Sequence, residues 1–281
     1  MRKSKFKHRN VAGAGTYLAL TGVSSVILLP FFWMISTAFR PAEDTFNIPP
    51  TLIPNPFTVE AFTNLWTNYP FIDFFRNSLI IVLSATVISI VFSCLAGYGA
   101  SRFKFAGRGA FLTFLLTTQM FPTIMLLVPI YRVMITYGLI NTHPGLILPY
   151  ISFAIPFCTW MMMGYFDTIP KTLDESACID GCNSIQAFLL VIVPLALPGL
   201  IATGIYSFIL GWNEYMFALI LTSSQNMRTV PVGIGMLMSE NRILYNDMMA
   251  ASVVAGVPVT VLFLLLQRFL IGNLAAGAVK Q

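Results

Sequence analysis

Six stretches of this chain stay apolar for about twenty residues or more, near Gly15–Phe39, Phe75–Ser101, Gly109–Met134, Pro144–Phe166, Leu189–Leu221 and Met248–Ile271. Each is long enough to cross the hydrocarbon layer of a bilayer as a helix. No water satisfies backbone N–H and C=O groups in that layer, so a spanning segment must be a helix or part of a closed barrel. Uninterrupted runs of this length fit helices. The expected fold is therefore all-α, a polytopic membrane protein with six transmembrane helices. Hydrophobic residues make up 57% of the 281 positions and charged residues 10%. A soluble domain carries about a quarter charged residues. The fifth stretch is the longest and contains Pro194 and Pro198, which predicts a bent or interfacial entry.

The expected plan is an N-terminal tail over 1–14, a spanning domain over 15–271 and a C-terminal tail over 272–281. The basic start MRKSKFKHRN resembles a signal peptide. The run from Val11 to Phe39 exceeds the roughly 7–15 residues of a signal core, so it reads as a retained first span. Six spans place both termini on one side. That side carries eleven of the sixteen Lys and Arg residues, including Arg102, Lys104, Arg108 and Lys171; the other carries five. The positive-inside rule puts the richer side in the cytoplasm. The net charge of +5 does not imply a nucleic-acid partner, because the basic residues flank spans and do not line one face. Two long segments fall outside, 40–74 and 222–247. The first holds five prolines from Pro49 to Pro70 and reads as an irregular cap.

One compact polar stretch, PKTLDESACIDGC over Pro170–Cys182, interrupts the apolar pattern on the inner side. Thr172 followed by Glu175 has the spacing of a capping box. Asp174 and Glu175 fall in the first turn, where the helix dipole favours acids. Gly181 suits the left-handed position that ends a helix. A short helix within 172–181 follows, and Asn183 with Gln186 starts another. A helix this short is marginal alone, and small Ser176, Ala177 and Cys178 allow close approach by another protein. A docking element and a solvated loop both fit this spacing. The four cysteines suit packing better than a disulfide framework. Cys178 and Cys182 lack further Cys or His ligands nearby, so no metal site is expected.

ESACIDGC followed by FLLVIVPLALP resembles the EAA loop of the membrane subunits of ABC importers. Glu175, Ser176, Ala177, Gly181, Val191, Val193 and Pro194 fall on its pattern, with Ser176 in place of the usual Ala and valines at the Ile and Leu positions. NSLIIV from Asn77, GYGASRFKFAGR over Gly97–Arg108, GLINTHPGLILPY over Gly138–Tyr150, GWNEYMFALILT over Gly211–Thr222 and QRFLIGNLAAGAVK over Gln267–Lys280 keep the family's order. The series is similar to the smaller, six-span permease subunit of maltose-type carbohydrate importers.

The resemblance implies an ABC type I importer permease fold and a bacterial inner-membrane location. It implies a second related permease, two cytosolic ATPase subunits, an extracytoplasmic sugar-binding protein and a lipid bilayer as partners. Thr172, Asp174, Glu175, Ser176, Ala177, Asp180 and Gly181 would form the coupling helix that docks on an ATPase. Ser223, Ser224, Gln225, Asn226, Met227 and Arg228 would meet the binding protein. No catalytic residue, bound cofactor or metal is expected in this chain; ATP and Mg would sit on the ATPases. The absence of a G-x-x-x-x-G-K-[ST] phosphate cradle agrees with that division.

Glu214 is the only acid well inside a span. It suits either the transport path or a structural polar contact at an aromatic belt. Asn213, Gln119 and Asn77 suit inter-helix hydrogen bonds or a polar path. His8 and His143 flank spans with no evident partner. An alternative function is a self-sufficient secondary carrier, which would need further acids in the spans for proton coupling. A membrane-embedded enzyme would need a cluster of ionisable groups at one depth.

Overall fold

The computed structural model describes residues 3–49, 51–238 and 245–278, and their side chains except within 3–14 and 270–278. What is expected of residues 1–2, 50, 239–244 and 279–281 therefore lies outside the described residues, as do the side chain of His8 and most of the two tails. The regular elements are helices: α1 (Lys3–Ala38), α2 (Glu60–Thr67), α3 (Phe71–Arg102), α4 (Arg108–Gln119), α5 (Leu127–Thr136), α6 (His143–Thr168), α7 (Thr172–Ile179), α8 (Ser184–Ala187), α9 (Val193–Leu195), α10 (Leu197–Trp212), α11 (Met216–Leu221), α12 (Val230–Met236) and α13 (Tyr245–Ala278).

Four helices are each long and apolar enough to cross a membrane: Gly15–Ala38, Phe71–Arg102, His143–Thr168 and Tyr245–Phe269. Two further crossings are broken ones. Arg108–Gln119 and Thr123–Thr136 meet at 94°, and Ser184–Leu195 meets Leu197–Trp212 at 75°. Six spans result when each bent pair counts as one. The 75° break falls at the prolines that predicted it. The 94° break corrects the expectation of one continuous span over Gly109–Met134. Pro122 stands at that break; it lacks an N–H and its ring displaces a preceding carbonyl, which ends a helix. Before Pro194 the chain passes through a π-turn over Phe188–Ile192, a rare local distortion of a helix.

Contacts divide the chain into two units, Met1–Tyr69 with Met236–Gly256, and Pro70–Gly235 with Val257–Gln281. In the first, α1 exposes its apolar side chains from Tyr17 to Phe32. The cap expected to be irregular contains α2. The cap is held by buried Arg40, whose Nη2 donates to the Thr51 carbonyl and whose own carbonyl accepts from Asn246 Nδ2 at 2.5 Å. Phe39 lies between Phe57 and Phe62, with ring centres 4.7 Å apart in both cases.

In the second unit α3 and α6 run parallel and touch along their length. Contacts recur from Asn77–His143 through Ser93–Ile155 to Arg102–Phe166. Small and hydroxyl residues line the seam, among them buried Ser93, Gly97 and Thr159. Such residues let helix backbones approach where lipid removes the hydrophobic drive for association. α10 packs on both helices and completes a core around Ile81, Val82, Leu146, Tyr150, Phe208 and Trp212. A second core around Met162, Phe166, Phe188 and Ile192 lies at the end of α3 that carries Arg102.

Gly97 sits at a close approach of the two helices. A Cβ there would lie 2.9 Å from both Met162 Cβ and Met163 N. At Gly99 nothing lies within 4 Å. Gly97→Ala is therefore expected to cost about 1–3 kcal/mol through overpacking, while Gly99→Ala stays within about 0.5 kcal/mol. Thermal unfolding of the two variants in detergent checks the contrast.

Candidate functional site

The polar stretch folds as two short helices with a sharp turn between them, as its spacing predicts. α7 ends in a Schellman motif: Cys182 N–H donates to Ala177 O at 3.0 Å and Gly181 N–H to Cys178 O at 3.1 Å, with Gly181 at φ +94°. Any side chain at that φ is strained. Asn183 and Gln186 make the expected capping box, each side chain accepting from the other's backbone N–H at 2.9 Å.

The start of α7 differs from expectation. The cap residue is Lys171, with helical φ −65° and ψ −24° and no side-chain capping bond. A capping hydroxyl needs a non-helical residue that turns it back onto the first turn. Thr172 is already helical, so its box with Glu175 does not form. The first N–H groups donate instead to the Pro170 and Lys171 carbonyls.

What holds α7 is a side chain that sequence reasoning counted only as a flanking charge. Arg102, in the last turn of α3, has a side chain only 5% exposed. Its Nε lies 2.9 Å from Asp174 Oδ2. Its Nη1 donates to Phe166 O at 2.9 Å and its Nη2 to Ile169 O at 3.0 Å. Tyr98, one turn earlier, donates to Asp174 Oδ1 at 2.7 Å. Ser101 Oγ donates to Asp167 Oδ1 at 2.5 Å. One guanidinium thus joins the end of α3, the end of α6 and the first turn of α7. A clue lay in Tyr98 and Arg102 themselves, four residues apart and hence on one helix face.

Of the residues expected to dock, Asp174 faces inward in this tether and Ala177 is buried. Thr172, Glu175, Ser176, Asp180 and Gly181 are exposed. Two large apolar side chains join them, Ile179 at 85% and Ile185 at 70% exposure. Cys94 and Cys158 are buried as packing thiols, but Cys178 is exposed on α7, which corrects the packing expectation there. Between α7 and the end of α3 lies a cavity of about 300 Å³, lined by Tyr98, Phe103, Lys171, Glu175 and Cys178 among others.

At the opposite end of α3 and α6 the segment 223–228 forms a tight turn around Gln225–Met227. Two asparagines hold it. Asn141, at φ 61°, accepts on Oδ1 from Ser223 N, Ser224 N and Ser224 Oγ at 2.9–3.0 Å. Asn77, 1% exposed, donates from Nδ2 to Asn226 O at 2.7 Å and Arg228 O at 3.1 Å. Its Oδ1 faces His143 Nε2 at 3.0 Å, so His143 has a partner that the sequence did not reveal. Ser223, Gln225 and Asn226 remain exposed.

Glu214 sits in the break between α10 and α11. Its carboxylate accepts from Phe217 N at 2.8 Å, Ala218 N at 3.0 Å and Tyr150 Oη at 2.9 Å. It caps the first turn of α11 and is tied to α6 through Tyr150. It also borders an open cavity of about 530 Å³ with Tyr206, Asn213 and Tyr215. Gln119 is exposed, and its Nε2 reaches Phe153 O at 3.4 Å.

Residues 89–275 match the family described as binding-protein-dependent transport system inner membrane component. The chain is 36% identical over 274 residues to the inner membrane ABC transporter permease protein YcjP of Escherichia coli (strain K12), covering 97% of this chain and 98% of that one. It is 36% identical over 258 residues to the trehalose/maltose transport system permease protein MalG of Thermococcus litoralis, covering 91% and 92%. A bacterial ABC transporter that imports the acidic polysaccharide alginate has a similar fold, with TM-score 0.78 and 20% identity over 92% of this chain and 96% of that one.

Arg102→Ala would leave Asp174 without its charged partner in a mostly buried place. Breaking such a pair costs on the order of 3 kcal/mol, against about 1 kcal/mol for the hydrogen bond lost in Tyr98→Phe. Hydrogen exchange over residues 171–182 should rise strongly in the first variant and modestly in the second.

Proposed function

Since the chain belongs to the binding-protein-dependent transport inner-membrane components, we propose that it is one of two permease subunits of an ATP-driven bacterial sugar importer. In this reading it supplies half of the transport path, and α7 is the coupling helix seated in a cleft of a cytosolic ATPase subunit. The single observation that carries the reading is the build of α7. The helix is tethered inward through Asp174 and terminated at Gly181, and it presents Glu175, Ser176 and Ile179 outward.

An isoleucine 85% exposed on a cytosolic helix gains little in water. Seated in a partner's cleft it would contribute about 1.5–3 kcal/mol. The cavity beside α7 offers room for a side chain of the same partner. The inner side follows from the excess of Lys and Arg there, and both termini then lie in the cytosol. Arg102 serves this side twice, as an orienting charge and as the tether.

The substrate class comes from relatives whose names specify trehalose and maltose or maltodextrin. The cavity bordered by Tyr206, Asn213, Glu214 and Tyr215 suits a polyhydroxylated cargo, with aromatic faces and amide and carboxylate groups together. The exposed turn at 223–228 is the candidate contact for the extracytoplasmic binding protein. ATP and Mg would be held by the ATPase subunits, which makes this chain no enzyme by itself. In this account ATP-driven closure draws the coupling helices together, and the spans rock between inward-open and outward-open.

Ile179→Asp and Glu175→Lys leave the inward tether intact. Removing one buried isoleucine corresponds to a loss of about 10–150-fold in affinity. Both variants are expected to reach the membrane, to lose most co-purifying ATPase subunit and to transport little sugar. Full ATPase recovery with normal uptake would overturn the docking assignment.

A further inference from the structure

The tethers at the two ends of α3 lie on one pair of helices. At one end Asn77 of α3 meets His143 at the start of α6 and two carbonyls of the turn 225–228. At the other end Arg102 of α3 meets Phe166 and Ile169 at the close of α6, and Asp174 of α7. The two residues are twenty-five positions apart (77 to 102), or roughly 37 Å along a helix. Between them the helices are in close contact at Gly97, with no space even for a methyl group.

Asn77 is 1% exposed and uses both amide hydrogens and its carbonyl oxygen. No other residue type of its size can donate twice to carbonyls and accept once in the same plane. Ser78, its neighbour, accepts from Val230 N at 2.8 Å and fixes the chain just beyond the turn. A buried amide of this kind positions the backbone it bonds and makes no contact of its own with an external partner.

We infer that Asn77 is the positioning residue through which the exposed turn 223–228 is made continuous with the α3–α6 pair, so that docking of the binding protein on that turn is felt at α7. This rests on the reading that the turn meets the binding protein. The turn supplies the contact surface; Asn77 sets where that surface stands and ties it to the helices that hold Asp174.

The test uses the complete transporter in proteoliposomes with its own partner permease, ATPases and binding protein. A photo-crosslinker at Gln225 first reports contact with the binding protein. Binding-protein-stimulated ATP hydrolysis is then titrated for Asn77→Asp, which keeps an acceptor for His143 but loses both donors to the turn, and for His143→Ala, which keeps both donors. The concentration of binding protein for half-maximal stimulation should rise about tenfold or more in Asn77→Asp and by less than about threefold in His143→Ala, the scale of one or two net hydrogen bonds. Hydrolysis without binding protein should stay within about twofold of the unaltered complex, a difference well below one hydrogen bond. An adduct at Gln225 with an unchanged half-maximal concentration in Asn77→Asp overturns the inference while leaving the contact reading in place. No adduct removes the contact reading itself and the inference with it. Equal loss of stimulated and unstimulated hydrolysis shows a merely structural role and also overturns the inference. If Asn77→Asp does not assemble, Ser78→Ala carries the test: a rise of about threefold supports the inference, and no change overturns it.

Discussion

The Arg102 guanidinium is the interaction on which the α7 end of the helix pair depends. A charge with 5% side-chain exposure is stable only when it is paired, and here it meets the Asp174 carboxylate on α7 and two carbonyls at the end of α6. Asp174 supplies the countercharge. The Phe166 and Ile169 carbonyls belong to the end of α6, where a helix leaves its last acceptors open. The same bonds that satisfy the arginine therefore satisfy the helix terminus, and they fix α7 to two spanning helices at once. A short helix that would fray alone becomes an extension of the membrane bundle.

This arrangement separates two jobs that one polar stretch could be thought to share. Asp174 and Ala177 face inward and hold the helix. Glu175, Ser176 and Ile179 face outward and are exposed. The Schellman turn at Gly181 and the box at Asn183 and Gln186 keep the helix from running on into α8. Asp174 joins the helix to α3 through Arg102, with Tyr98 bracing the same carboxylate; under the proposed function, this is the path by which force on the outward face would reach α3 and α6.

The spans were legible because hydrophobic length is a one-dimensional property that a bilayer reads directly. The bend at Pro194 and Pro198 was legible because proline acts locally. The bend at Pro122 was equally available and was missed, since the apolar run on either side of it hid the break. Gly181 and the Asn183–Gln186 box were readable for the same local reason. The Thr172–Glu175 box failed because the chain enters α7 already helical at Lys171, which leaves Thr172 inside the helix. Arg102–Asp174, Asn77–Arg228 and Asn141–Ser223 join residues 72, 151 and 82 positions apart. No spacing rule reaches that far, so these tethers could be seen only in the fold. Family resemblance pointed to segments and not to the residues that hold them in place.

The central claim is that α7 moves with α3 and α6 as one body while an ATPase works against it. Its most direct measurement is a distance between spin labels on exposed Thr172 of α7 and exposed Leu95 of α3, in the assembled transporter with and without ATP. The account predicts one narrow distribution that does not shift between the two conditions. A change of about 5 Å or more, the rise of one helical turn, would show the tether opening during the cycle and would contradict it.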